Sequence, residues 1–250
     1  MNIRVVDASH GWRWIAQGIL IFRKNPPQWL LLIAILFIGS RVLFAVPLIG
    51  VIAVLIAPNF LAGLSHGAQA LGQGKPLRLG YLASGFLKNA ARLVTIGGVS
   101  LVGQFLTLMA ITLVGGETIS SLSKTIAAGA AAPEAIAAMQ AAAPRMMMAL
   151  LVGFGVSLPL MMAVWFAPLL VFFDDVKPLP ALALSLWACL KNILPLLIYG
   201  MAVVVPVVIL MPLSLATRQP DLGVWLLAPI LVPSIYVSYK DLFVPAPDSQ

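Results

Sequence analysis

The stretch QWLLLIAILFIGSRVLFAVPLIGVIAVLIAPNFLAGLSHGAQAL, Gln28 to Leu71, decides the fold: across 44 residues the only charge is Arg41. A helix needs about 20 apolar residues to cross a hydrocarbon core roughly 30 Å thick, so this length is twice one span. The segment Pro47 to Gly50 is the expected turn, dividing it into spans over about 28–46 and 51–71. Strands are excluded. Membrane strands run about 10 residues and alternate apolar with polar side chains, and no such alternation appears.

Working outward, further apolar runs predict spans over about 93–114, 146–173, 193–215 and 222–239. The expected fold is therefore an all-α polytopic membrane helix bundle, with six transmembrane helices in a single integral membrane domain over residues 1–250. Composition agrees: 61% of residues are hydrophobic and 9% charged, where a soluble domain carries about 25% charged. So few charges cannot clothe a soluble surface, which makes lipid the solvent for much of it. Nineteen prolines and 20 glycines fit packed membrane helices, which tolerate both.

Several classes of chemistry drop out. The single cysteine, Cys189, excludes an intramolecular disulfide and a cysteine metal cluster. There is no phosphate-binding glycine loop, nucleotide fingerprint or His/Glu metal spacing, so neither cofactor nor metal is expected. The net charge of +7 is scattered between apolar runs, which suits topogenic charges and not a nucleic-acid partner. The amino-terminal basic residues precede a full-length span with no small-residue cleavage site, and are read as retained.

Charge asymmetry orients the chain. With both termini cytoplasmic, the inner segments hold Arg4, Arg13, Arg23, Lys24, Lys75, Arg78, Lys88, Arg92, Lys177, Lys191 and Lys240. The outer segments hold Arg41, Lys124, Arg145 and Arg218. That excess satisfies the positive-inside rule. An Ala-rich outer loop over about 116–144 is expected, with low-complexity alanine as a spacer.

A Lys-Asn pair recurs at Lys24-Asn25, Lys88-Asn89 and Lys191-Asn192, each time before an apolar run. Ala-Pro recurs on each even-numbered span, at Pro58, Pro168 and Pro229. Together these marks predict three parallel hairpin repeats, each a cytoplasmic interfacial helix, a Lys-Asn corner, a span out and a proline-bearing span back. The interfacial helices are expected over about 8–24, 76–88 and 178–191. In the first, Ser9 is the expected cap, with Trp12, Ile15, Ala16, Ile19 and Phe22 on the lipid face and Trp12 and Trp14 at headgroup depth. In the second, Pro76 is expected to open the helix. Asn at each corner is expected to satisfy backbone groups where the surface helix turns into the bilayer.

Candidate site residues are few. Gly63-Leu64-Ser65-His66-Gly67 matches the G-x-S-x-G nucleophile pattern, but that motif needs a strand-turn-helix elbow, and close helix packing through Gly63 and Gly67 is the blander reading. Asp174 and Asp175 end the fourth span, where paired acids either terminate the helix near Lys177 or hold a proton or cation. Ser65, Asp175 and Tyr236 each stand seven residues after a repeat proline, so a threefold arrangement would bring Ser65, Asp174, Asp175 and Tyr236 toward one polar site. Arg41 is expected to reach the outer headgroups. The methionines at 146–148 and 161–162 read as adaptable packing.

The patterns GWRW with FRKNP, the proline-glycine-Ala-Pro spacing and the closing SIYVSYKDLF resemble an uncharacterised family of bacterial six-span inner-membrane proteins. The resemblance implies a multi-pass protein of the cytoplasmic membrane and no assigned substrate or site. Two functions stay open. One is a non-catalytic protein that organises lipid or partner proteins, with the bilayer, a membrane-protein partner or a second copy as its contacts. The other is a small-solute or ion transporter subunit, with intramembrane hydrolysis a distant third.

Overall fold

The computed structural model describes residues 2–127 and 132–244. Apart from two two-residue strands, the regular structure of the described residues is helical. β1 (Asn2–Ile3) pairs antiparallel with β2 (Phe243–Val244) and so joins the two ends of the described chain. The helices are α1 (His10–Arg23), α2 (Pro26–Phe44), α3 (Pro47–Gly72), α4 (Tyr81–Leu87), α5 (Ala90–Ala127) and α6 (Ala132–Trp165). They continue as α7 (Ala167–Asp174), α8 (Pro178–Lys191), α9 (Ile193–Ile209), α10 (Met211–Ala216) and α11 (Leu222–Leu242). Among the described residues, five helices are long and apolar enough to cross a bilayer, and six if α8 and α9, bent by 88° at their junction, form one broken span.

The fold divides into two compact units. The larger comprises residues 2–98 and 162–244; the smaller is Val99–Met161. In the smaller unit the facing parts of α5 and α6 run antiparallel. A Cβ on Gly103 would lie 3.1 Å from Leu160, one on Gly153 2.5 Å from Ile111, and one on Gly115 2.9 Å from Ala149. Small residues let the two backbones approach where no hydrophobic force from water drives them together. The outward side chains, among them Phe105, Leu113 and Leu151, are apolar and suit a lipid solvent.

In the larger unit, α1 packs on α9 and α11. A Cβ on Gly11 would meet the Pro195 carbonyl at 2.1 Å, and one on Gly18 the Ile230 carbonyl at 2.8 Å. The buried face of α1 is therefore Gly11, Trp14, Ile15 and Gly18. This corrects the expected lipid face: Trp12 is 60% exposed, but Trp14 is 1% exposed and belongs to the protein interior. Nor does Ser9 cap the helix through its side chain.

Each Lys-Asn pair marks a helix corner, and each asparagine meets a different backbone need. Asn25 caps α2, its Oδ1 accepting from the Gln28 N–H at 3.3 Å. Asn89 adopts φ 58°, a left-handed conformation that asparagine tolerates, and its Nδ2 donates to the Val171 carbonyl at 2.8 Å. Asn192, buried at the 88° bend, accepts from the Val6 N–H at 2.9 Å and donates to the Arg4 and Ala188 carbonyls.

Other expectations shift. The turn after α2 falls at Ala45 and Val46, and Pro47 starts α3 because its missing N–H is harmless there. Residues 76–80 are not helical, and α4 begins only at Tyr81. Leu77 is instead drawn against α3, where its Cδ1 would stand 2.7 Å from a Cβ on Gly67. The expected fourth span breaks at Phe166 into α6 and α7, and the expected fifth breaks at Leu210 into α9 and α10. The expected loop over 116–144 is helical throughout its described part, since α5 runs to Ala127 and α6 starts at Ala132. Alanine has the highest helix propensity, so an Ala-rich segment that looked like a spacer extends the helices on either side. Residues 128–131 of that loop lie outside the described residues.

Candidate functional site

The most elaborate polar arrangement lies in the larger unit, where α1, the last turn of α3, the end of α7 and the last turns of α11 meet. They frame an open cleft of about 810 Å³. From α1 come His10, Arg13, Trp14 and Gln17, which share a face by helical spacing. Gln69 and Gln73 come from the end of α3, Phe173 and Asp174 from α7, and Tyr236, Tyr239, Lys240 and Asp241 from α11.

Asp241 is the organising carboxylate. Its Oδ2 accepts from the Trp14 indole N–H at 2.8 Å and lies 2.6 Å from His10 Nδ1; its Oδ1 lies 3.2 Å from Arg4. Arg13 in turn lies 3.3 Å from His10 Nε2. These contacts tie the amino-terminal segment to the last turn of α11, across more than two hundred residues of chain. On the opposite wall the Tyr239 hydroxyl donates to Asp174. Phe173 stacks on Tyr239 at 5.6 Å and an interplanar angle of 26°, and tilts against Tyr236 at 5.6 Å.

The four residues singled out from sequence separate here. Asp174 and Tyr236 line the same cleft; Ser65 and Asp175 do not. Ser65 is fully buried on α3, and its hydroxyl has no hydrogen-bond partner among the described residues. Gly63 on the same helix packs against the Tyr81 carbonyl, where a Cβ would approach to 2.4 Å. The Gly-x-Ser-x-Gly pattern thus sits inside a helix and serves close contact with α4. Asp175 occupies an exposed corner in the left-handed conformation that ends α7, φ 55°. Asn89 Nδ2 donates to its Oδ1 at 2.7 Å, Lys88 lies 3.3 Å from its Oδ2, and Arg92 donates to its carbonyl at 3.1 Å. The Asn89 hydrogen bond first, and the Lys88 charge second, hold the Asp175 carboxyl below the usual carboxylate range. Its charged partner is Lys88, not Lys177.

At the other ends of the helices, Arg41 hydrogen-bonds Asp221 and lies 4.8 Å over the Phe37 ring. That replaces the expected reach to headgroups with an ion pair, and the Arg41 bond holds the Asp221 carboxyl low. Met147, Met148 and Met161 are exposed, so these methionines contribute apolar surface and little core packing. Among the described residues no group of three or more His, Cys, Asp or Glu is placed to hold a metal ion.

Sequence reasoning placed Trp14 at headgroup depth and assigned none of His10, Trp14, Tyr239 and Asp241 to a site. One signal was present, the i, i+4 spacing of His10 and Trp14, but nothing local pairs it with an aspartate 227 residues further on.

Against known proteins, the chain is similar to a "Probable inner membrane protein" from Burkholderia thailandensis, 28% identical over 206 residues that cover 80% of this chain and 74% of that one. No family model and no solved structure matches. The apolar helices and this similarity agree with the resemblance to bacterial inner-membrane proteins: the chain is a multi-pass helical membrane protein.

Proposed function

We propose that this chain is a non-catalytic protein of the bacterial inner membrane that organises lipid, with both termini and the cleft on the cytoplasmic side. The observation that carries this reading is the cleft itself, open and lined by charged side chains among aromatic ones, placed where the helix ends gather. The charges follow the same pattern. Lys88, Arg92 and Asp175 meet at one set of helix ends and Arg41 and Asp221 at another, and the fully buried polar side chains of the described residues are asparagines and serines. Charges held at helix ends suit headgroup contact, because lipid phosphates and amines lie at that depth. The excess of basic residues in the segments flanking α1, α4 and α8 supports the cytoplasmic placement.

A second reading, solute or ion transport, is favoured by the unpartnered hydroxyl of Ser65, which stands one turn below Gln69 on α3. One experiment separates them. The protein is exchanged through detergent and weighed by native mass spectrometry, then reconstituted into vesicles loaded with a pH-sensitive dye. Stoichiometric lipid that survives exchange, with no proton movement above empty vesicles, is the expected outcome. A lipid-free protein that moves protons would replace the organising role with transport.

A further inference from the structure

We infer that the cleft between α1, α7 and α11 is a binding site for a phosphate–ammonium zwitterion, the chemistry of a phosphoethanolamine headgroup. The inference rests on the organising role proposed above and names the ligand of that cleft.

The unpaired charges carry the argument. Of the charged groups lining the cleft, Asp241 is already engaged by Trp14, His10 and Arg4. Arg13, Lys240 and Asp174 form no ion pair among the described residues. Two cations and one carboxylate, none in an ion pair among the described residues, therefore line the same space. A monoanionic phosphate satisfies Arg13, whose planar donors suit phosphate oxygens, and Lys240, which supplies a point charge. A ligand that carried phosphate alone would leave Asp174 without an ion-pair partner, and a purely cationic ligand would leave Arg13 and Lys240 facing it. A zwitterion answers both.

The wall next to Asp174 has the chemistry of an ammonium site. Phe173 precedes it in sequence, and Phe173, Tyr236 and Tyr239 pack ring against ring. Aromatic faces attract a cation through their quadrupole. The Tyr239 hydroxyl donates to Asp174 and orients its carboxylate. Lys240 lies 6.0 Å from the Tyr236 ring, so the aromatic wall and the phosphate-binding cation adjoin. The volume, about 810 Å³, falls in the usual range for small-molecule sites, roughly 300–1,000 Å³.

The test uses the full-length protein, delipidated in mild detergent and titrated by native mass spectrometry with short-chain phosphatidylethanolamine or phosphatidylglycerol. Phosphatidylethanolamine should bind the wild type more tightly, and Asp174→Asn should erase that preference by a loss of roughly tenfold, the size expected for one charge-assisted hydrogen bond. The double substitution Arg13→Gln with Lys240→Gln should weaken both lipids. Arg13, Lys240 and Asp174 are exposed, so all variants should fold, which circular dichroism and gel filtration check. Free phosphoethanolamine added to the loaded protein identifies the source: displacement at matching concentration assigns the site to a soluble zwitterion, and resistance assigns it to a lipid. Lipid bound without headgroup preference, or bound equally by the variants, overturns the zwitterion site and leaves the organising role standing. Failure of every lipid and of free phosphoethanolamine to bind overturns both.

Discussion

The asparagines of the three Lys-Asn pairs show how one residue type solves three separate problems. Asparagine carries an acceptor and two donors on a short side chain and enters the left-handed region at low cost, so it can cap, bend or bridge. At Asn89 it does two of these at once, because the backbone at φ 58° turns the amide toward Val171 and Asp175. The depressed Asp175 carboxyl makes this corner pH-sensitive. Because its folded pKa lies below its unfolded value, the ionised group stabilises the fold above the ordinary carboxylate range, about pH 4. That contribution disappears as pH falls through the folded pKa. Thermal unfolding of the wild type and of Asp175→Asn, followed from neutral to acid pH in detergent, should differ at neutral pH and converge in acid. Curves offset equally at every pH would remove Asp175 from the stabilising interaction.

At the scale of elements, the same Ala-Pro dipeptide has two outcomes. Pro58 lies inside a continuous α3 and Pro229 inside a continuous α11, but Pro168 coincides with the break between α6 and α7. A helical proline removes one N–H and crowds the carbonyl four residues earlier. At this break the Ser185 hydroxyl of α8 enters the ladder. It accepts from the Phe166 N–H at 2.9 Å and donates to the Met162 carbonyl at 2.7 Å, the two groups that an unbroken helix would join directly. Ser185→Ala should therefore destabilise the protein by about 1–3 kcal/mol, the usual consequence of stranding buried polar groups. With Pro168→Ala in addition, Phe166 and Met162 can bond to each other and the loss should shrink. A double-mutant cycle on thermal unfolding should show coupling of about 0.5–3 kcal/mol; strict additivity would mean that Pro168 does not cause the break.

For the whole molecule, the side of the membrane that each helix end faces is tested by labelling. If both termini are cytoplasmic, a cysteine at position 83 on α4 is inside and one at position 123 near the end of α5 is outside. In a Cys189→Ala background, an impermeant maleimide applied to intact cells should modify Ser123→Cys and should reach Ala83→Cys only after permeabilisation. The opposite pattern would invert the topology and place the cleft outside. Cys189 is buried, so its removal clears residual labelling without exposing a new site.

The membrane class, the helical character and the approximate places of the spans were legible in sequence, because transfer of apolar residues into lipid depends on composition and length, which are local. The Lys-Asn corners were legible for the same reason: capping and turning act over four or five residues. Helix continuity was less legible. The 116–144 segment reads as a spacer by composition, yet alanine propagates the helices it adjoins. The cleft was legible only in Asp174 and Tyr236. Asp241 meets Trp14 and Arg4 across separations of 227 and 237 residues, and no local pattern encodes such a meeting. Of the three polar residues aligned by the repeat, only Tyr236 lines that cleft, where it is joined by Asp174, the neighbour of the aligned Asp175. Their sequence spacing records where each lies along its own helix. Which helix ends gather, and which charges are left without partners, is decided by side-chain packing between elements, and only the tertiary structure contains it.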